Sequence, residues 1–247
     1  MSARRPRWRN LGAIAAAFGV TLAAPMQTLA INCIPPRAAN SSFYSASLTR
    51  DGTTAETKVR GVRGTLDTDE IPYADRPGTS ESYVSVRGSG GGHHATMGFV
   101  AVDINELWYF YEYDDVGVGP RRFLFQPEPW DRESFEVVWT NTPGNGEYEF
   151  LFWFGPSQSN QTLASSPVLH WSPDDGQIGG ATFSRKSQFP GRVSNKVRFT
   201  GTQALVDGSY VGFGNVFLYL GVTAPWANFE QIPGENGKFR SWDRDCP

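Results

Sequence analysis

Past residue 30, no stretch of this chain carries the three-to-four-residue apolar period of an amphipathic helix. Glycine and proline (27 and 17 of 247 residues) interrupt it instead, roughly every eight to fifteen positions, and short alternating runs lie between them. Glu81-Ser-Tyr-Val-Ser-Val-Arg87 places Ser82, Val84 and Val86 on one face and Glu81, Tyr83, Ser85 and Arg87 on the other. Ser134 to Trp139, Glu147 to Phe154, Lys196 to Thr200 and Tyr210 to Val222 read in the same way. Aromatic and β-branched runs between turn signals predict an all-β sandwich or barrel.

About twelve strands are expected, near 42–49, 56–63, 81–87, 94–102, 107–113, 121–125, 134–140, 147–154, 166–171, 178–184, 196–200 and 209–222, with a short closing strand near 237–242. An immunoglobulin-type sandwich needs only about seven strands, so a larger two-sheet jelly-roll type is the better fit. Residues 64–80 form the longest irregular segment, and loops of that length are often functional or mobile.

The first thirty residues have the layout of a secretory signal. Arg4, Arg5, Arg7 and Arg9 precede an apolar run from Leu11 to Ala24, and Thr28-Leu-Ala30 offers small residues for cleavage after Ala30. Residues 31–247 are then a single secreted β-sandwich domain, with no later segment long enough to span a bilayer. Removing the four arginines leaves 18 basic against 25 acidic residues, a net charge near −7. That balance disfavours nucleic acid and anionic membrane as partners. The only cysteines, Cys33 and Cys246, stand at the two ends of the expected domain. In an oxidising compartment they are expected to form one disulfide closing nearly the whole chain. No Cys or His spacing matches a metal site, and no cofactor motif is present.

The densest patch is Leu107-Trp-Tyr-Phe-Tyr-Glu-Tyr-Asp-Asp115. As a strand it puts Trp108, Phe110, Glu112 and Asp114 on one face and Leu107, Tyr109, Tyr111, Tyr113 and Asp115 on the other. Aromatic rings stack on sugars or grip peptide side chains, and carboxylates bind hydroxyls or move protons. A core strand with an acidic exposed end is the plainer reading. Trp108, Tyr109, Tyr111, Glu112 and Tyr113 are the ligand-binding candidates, although only alternate members can face one groove. Trp130, Trp139 and Trp153 are assigned to the core. His93 and His94, after a glycine-rich turn, point opposite ways on a strand and suit solvated positions better than a shared metal. No nucleophile elbow or phosphate loop occurs.

From Tyr83 to Asp115 the chain resembles the glutamic peptidases of the eqolisin type. Tyr83-Val-Ser-Val86, the glycine turn, Thr96-Met-Gly98 and Tyr109-Phe-Tyr-Glu-Tyr-Asp-Asp115 follow the order and spacing of that family's Trp-Val-Gly-like, Gln-Thr-Gly and Trp-Tyr-Glu-Trp strands. The resemblance covers about 35 residues and is shared with secreted bacterial sandwiches of similar pattern. It implies a concanavalin-like β-sandwich and a secreted acid peptidase. The family's catalytic glutamine falls at or near Thr96, which has no carboxamide. Its catalytic glutamate lies in a later strand with no match, since Asp174 and Asp175 are the only acids between Glu149 and Asp207. Glu112 matches a glutamate of the family's aromatic cleft.

Three functions follow in order of expectation. The first is a non-catalytic secreted module binding an extracellular glycan or polymer. The second is a carboxylate-dependent hydrolase of the same fold, with Glu112 catalytic. The third is a structural envelope or surface protein.

Overall fold

A computed structural model describes residues 33–38, 40, 42–50, 58–67, 72–76, 78–88, 93–103, 106–114, 121–124, 126–127, 132–141, 148–154, 162–167, 169–213 and 218–247. The expected signal segment, the glycine turn over 89–92, Asp115 and Trp130 lie outside these residues.

The described chain forms fifteen strands: β1 (Tyr44–Arg50), β2 (Val59–Asp67), β3 (Ser80–Gly88), β4 (His94–Asp103), β5 (Glu106–Tyr113), β6 (Arg122–Phe123), β7 (Arg132–Asn141), β8 (Tyr148–Phe154), β9 (Thr162–Ser165), β10 (Pro173–Thr182), β11 (Val197–Val206), β12 (Ser209–Gly212), β13 (Leu218–Val222), β14 (Ala227–Gln231) and β15 (Phe239–Asp243). They build two antiparallel sheets. The first has the order β13-β1-β10-β3-β4-β5-β6, and the second β14-β15-β11-β2-β7-β8-β9 with β12 also on β11. The all-β two-sheet sandwich expected from the alternation is the fold observed.

Several boundaries differ from expectation. β2 runs on to Asp67, into the segment 64–80 expected to be irregular; β10 begins earlier, at Pro173, and β11 extends to Val206. The run 209–222 is two strands in different sheets: β12 folds back on β11, while β13 pairs with β1. The strand expected at 166–171 lies earlier, at β9. Strand β14 was not anticipated; it buries Ala227 and Phe229 and pairs along β15. The long irregular segment is tied down where it is described. Tyr73 N–H donates to Gln188 Oε1 at 3.2 Å, Gln188 N–H to Tyr73 O at 2.7 Å, and Asp75 N–H to Ser187 Oγ at 2.9 Å.

Period-2 alternation gives each strand of the first sheet an inner and an outer face. Val84, Val86, Met97, Phe99, Tyr109 and Ile178 point inward, against Val62, Leu66, Phe135, Val137, Phe150 and Phe152 of the second sheet. Phe99 meets Phe135 edge-on at 4.9 Å, and Tyr109 meets Phe154 at 4.5 Å. The outer face of the first sheet carries a separate small apolar cluster of Tyr83, Val100, Phe110 and Ala181. Trp139 packs partly against the inter-sheet core. Trp153 alternates with the inward Phe152 and Phe154, which puts it on the outer face of the second sheet.

The chain ends are joined twice. Cys33 and Cys246 form the expected disulfide, with Cα atoms 5.6 Å apart and a sequence separation of 213. A closed loop of that length contributes about 5 kcal/mol in the chain-entropy model. Beside it, Arg37 holds Asp243 through two bonds of 2.9 and 2.5 Å. The same carboxylate accepts from Phe189 N–H and Asp245 N–H at 2.9 and 3.0 Å. Asp243 is fully buried, so removing it takes the better-buried of two carboxylates from Arg37, which keeps Asp245 and two backbone carbonyls, and leaves the buried Phe189 N–H without its acceptor. Asp243→Ala is expected to cost about 3–5 kcal/mol, read as a lowered midpoint in urea unfolding with the disulfide intact.

Candidate functional site

The outer face of the first sheet is ordered in lateral rows by the strand register. Ser45, Ala181, Glu81, Val100 and Trp108 make one row across β1, β10, β3, β4 and β5. Ser47, Gly179, Tyr83, Gly98 and Phe110 make the next. Thr49, Gln177, Ser85, Thr96 and Glu112 make the third. Glycines flank Tyr83 on both sides because the strands approach too closely for a side chain. A Cβ at Gly98 would lie 2.0 Å from Ser82 O, and one at Gly179 2.5 Å from Ala46 O. The middle row is therefore low between Glu81 and Glu112. A cavity of about 140 Å³ opens there, lined by both glutamates, Tyr83, Ser85, His94, Thr96 and Gln177, with Phe43 and Phe183 also lining it. These two phenylalanine rings meet at a tilt, with centroids 4.9 Å apart, and are 50% and 40% exposed.

One cation links the two glutamates. Arg121 lies over the Phe110 ring at 4.4 Å, reaching Glu81 Oε2 at 2.6 Å and Glu112 Oε2 at 2.8 Å. Contact with a single guanidinium keeps the carboxylates within the roughly 10 Å used by acid pairs in glycoside hydrolysis. Their environments differ sharply. Glu81 is 5% exposed. Burial pushes its carboxyl up, Arg121 offsets part of this and the Glu112 charge adds to it, leaving it at about 7. Burial also pushes Glu112 up, but hydrogen bonds and charge from His94 and Arg121 outweigh it and hold the carboxyl at about 2. His94 Nε2 lies 3.3 Å from Glu112 Oε1, and His94 N–H donates to Asp114 at 2.7 Å. Burial and the Glu81 charge raise the Tyr83 phenol.

The rest of the floor is a network of neutral groups. The Ser85 and Thr96 hydroxyls are 2.7 Å apart. Gln177 Oε1 accepts from Tyr83 O–H at 3.2 Å and Arg87 at 3.4 Å, and its Nε2 donates to Ser47 Oγ at 2.6 Å. Thr96 thus lies on the cavity floor between Ser85 and Glu112, and the site's carboxamide comes from β10 instead. Among the described residues, no three His, Cys, Asp or Glu side chains converge as a metal site.

The structure separates the residues singled out on the aromatic strand. Glu112 lies in the cavity. Trp108 is on the same face but packs by Val100, Phe110 and Phe123, outside the cavity lining. Tyr109, Tyr111 and Tyr113 turn inward, Tyr111 and Tyr113 toward Phe152 at 4.9 and 6.2 Å. The strand therefore presents no row of tyrosines to a ligand. His93 stacks on Trp171 at 5.9 Å. Glu81 and Arg121 were not anticipated. The available signal was a carboxylate on the same face of β3 as Tyr83 and Ser85, opposite the Val84–Val86 face.

No family model matches the chain, and no curated protein matches it. Solved structures do. A scytalido-glutamic peptidase bound to a peptide-based transition-state analogue aligns at a TM-score of 0.56 and 11% identity, over 83% of this chain and 100% of that one. An eqolisin-family peptidase, SCP-B, in complex with the tripeptide Ala-Ile-His aligns at 0.55 and 10% identity with the same coverage. The likeness is one of fold. It carries the likeness in fold, seen over about 35 residues in sequence, to 83% of the chain.

The split glutamates set opposite pH windows for stability. Glu81 holds its proton more tightly folded than unfolded, so its contribution is full below about pH 4.5 and is lost as pH rises through 7. Glu112 contributes fully above about 4.5, and that contribution is lost as pH falls toward 2. Glu81→Gln should therefore flatten the fall in melting temperature between pH 4.5 and 7 while leaving the acid-side fall in place. A variant whose neutral-side slope equals the wild type's would contradict the burial assignment.

Proposed function

We propose that this protein is a carboxyl-dependent hydrolase of an extracellular polymer, with Glu81 as proton donor and Glu112 as its ionised partner. The observation that carries this reading is one guanidinium holding two glutamates whose carboxyls are driven to about 7 and about 2. Pairs pushed apart in this way divide acid and base roles between chemically identical groups. Between those values Glu81 is mostly protonated and Glu112 ionised, so the working range is acid to neutral. The two values belong to the coupled pair.

Peptide is the favoured substrate class, because the similar folds are peptidases solved with peptide ligands; fold likeness supplies the class and the site supplies the chemistry. Water beside Glu112 adds to the peptide carbonyl carbon and passes a proton to that carboxylate. Glu81 donates its proton to the leaving nitrogen as the C–N bond breaks. The Glu112 proton returns to Glu81, which restores both groups. Arg121 spans the gap, so an entering carbonyl takes over one of its two contacts, and the guanidinium stabilises the oxyanion that forms. The glutamine of the eqolisin pattern falls at or near Thr96 in this sequence, so the proposed pair differs from that family's. Phe43 and Phe183 offer an apolar rim for a neighbouring side chain. A disulfide and a signal-like first segment support an oxidising, extracytoplasmic setting.

The test is a panel of denatured proteins, peptide libraries and polysaccharides incubated with the purified protein from pH 2 to 8. Cleavage of peptides with a bell-shaped profile is expected, and Glu81→Gln and Glu112→Gln should each lower kcat by about 10²–10⁴. Release of sugars instead would move the same pair to glycoside hydrolysis. Full activity in both variants, or none in the wild type on any substrate, would overturn the proposal.

A further inference from the structure

The outer face of the second sheet carries a larger cavity, about 510 Å³, far from the carboxyl pair in chain position and lined by different strands. That volume is in the roughly 300–1,000 Å³ range of small-molecule sites. Its charge runs against that of the protein. The chain has a net charge of −3, yet five cations (Arg132, Lys196, Arg198, Lys238 and Arg240) face only Asp67 and Glu235 in the lining.

The arrangement of these cations is costly in the absence of an anion. Arg198 on β11 and Arg240 on β15 are direct cross-strand partners, and like charges opposed in this way destabilise a sheet. Arg240 is drawn toward Glu230 on β14, and Lys196 lies over the Trp242 ring at 3.7 Å. Arg132 is held by Asp67 at 3.1 Å and by Thr200 Oγ1 at 2.6 Å. Lys238 pairs with Glu235. Arg198 is exposed and makes no ion pair among the described residues. Neighbouring cations are thus fixed in place by their own partners, and the one guanidinium left over projects beside a second guanidinium.

We propose that this pocket binds a small polyanion bearing two or more carboxylate or phosphate groups, with Arg198 and Arg240 together as its anchor. Planar guanidinium forks match either group through paired N–H bonds. The site is independent of the hydrolase reading, since no residue is shared between the two cavities.

Calorimetric titration of the full protein at low salt tests this, with citrate and pyrophosphate as the two anion chemistries and maltose as the neutral control. At least one anion should bind, more weakly as salt rises, and maltose should not. Arg198→Ala should weaken that binding by about tenfold or more. Its melting temperature without anion should equal or exceed the wild type's, because the opposed charge is gone, and the rise on adding anion should be lost. Glu81→Gln should bind the anion as the wild type does, which keeps this result separate from any failure of the catalytic reading. Binding by citrate alone or pyrophosphate alone would identify the group recognised. If neither anion binds above maltose, or if Arg198→Ala binds with wild-type affinity, the proposal is overturned.

Discussion

A single guanidinium makes the outer face of the first sheet possible. Two glutamates within reach of each other and nearly out of water repel, and each resists ionisation by burial. Arg121 meets both, at 2.6 and 2.8 Å, yet leaves them unequal. Glu112 also has His94, and stays charged; Glu81 has Arg121 with a deeper position, and keeps its proton toward neutrality. The inequality is what turns an ion-pair network into a site able to give and take protons.

The sandwich holds that inequality in place. Inward residues of β3, β4 and β5 are locked against phenylalanines of the second sheet, so the alternating outward residues have no freedom to shift register: a slip of one position would exchange Glu81 and Glu112 for core side chains. Glycines beside Tyr83 let β1, β10, β3 and β4 close up, which leaves a depression between the glutamates. At the far end of the chain, the disulfide and the Arg37–Asp243 pair fasten the first described segment to β15. None of these four residues lines the cavity, although Arg37 also bonds Arg185 O, two positions from the lining Phe183.

Much of this was legible in sequence because alternation and turn residues are local signals. The two faces of β3, the strand containing Glu112 and the pairing of the terminal cysteines all follow from residues read in place. Alternation separates two faces but does not say which one meets the other sheet. On β5 both faces are bulky, with tyrosines on one and Trp108, Phe110 and Glu112 on the other; only packing against Phe135, Phe152 and Phe154 decides that the tyrosines are core. Glu81 was hidden for a different reason. A lone acid on an alternating strand ordinarily faces solvent, and its burial depends on Arg121, forty positions later and beside β6, three strands along the sheet. Strand β14 was missed because Pro225, Asn228 and Pro233 around it read as turn residues, while its pairing comes from β15.

Direct titration of the two carboxyls is the most searching measurement. Carbon-13 NMR of glutamate side chains, assigned with Glu81→Gln and Glu112→Gln, would follow each group from pH 2 to 9. The account predicts one carboxyl titrating near 7 and absent from Glu81→Gln, and another titrating near 2, at the acid end of the range, and absent from Glu112→Gln. Both groups titrating together near 4.5, as exposed glutamates do, would contradict it.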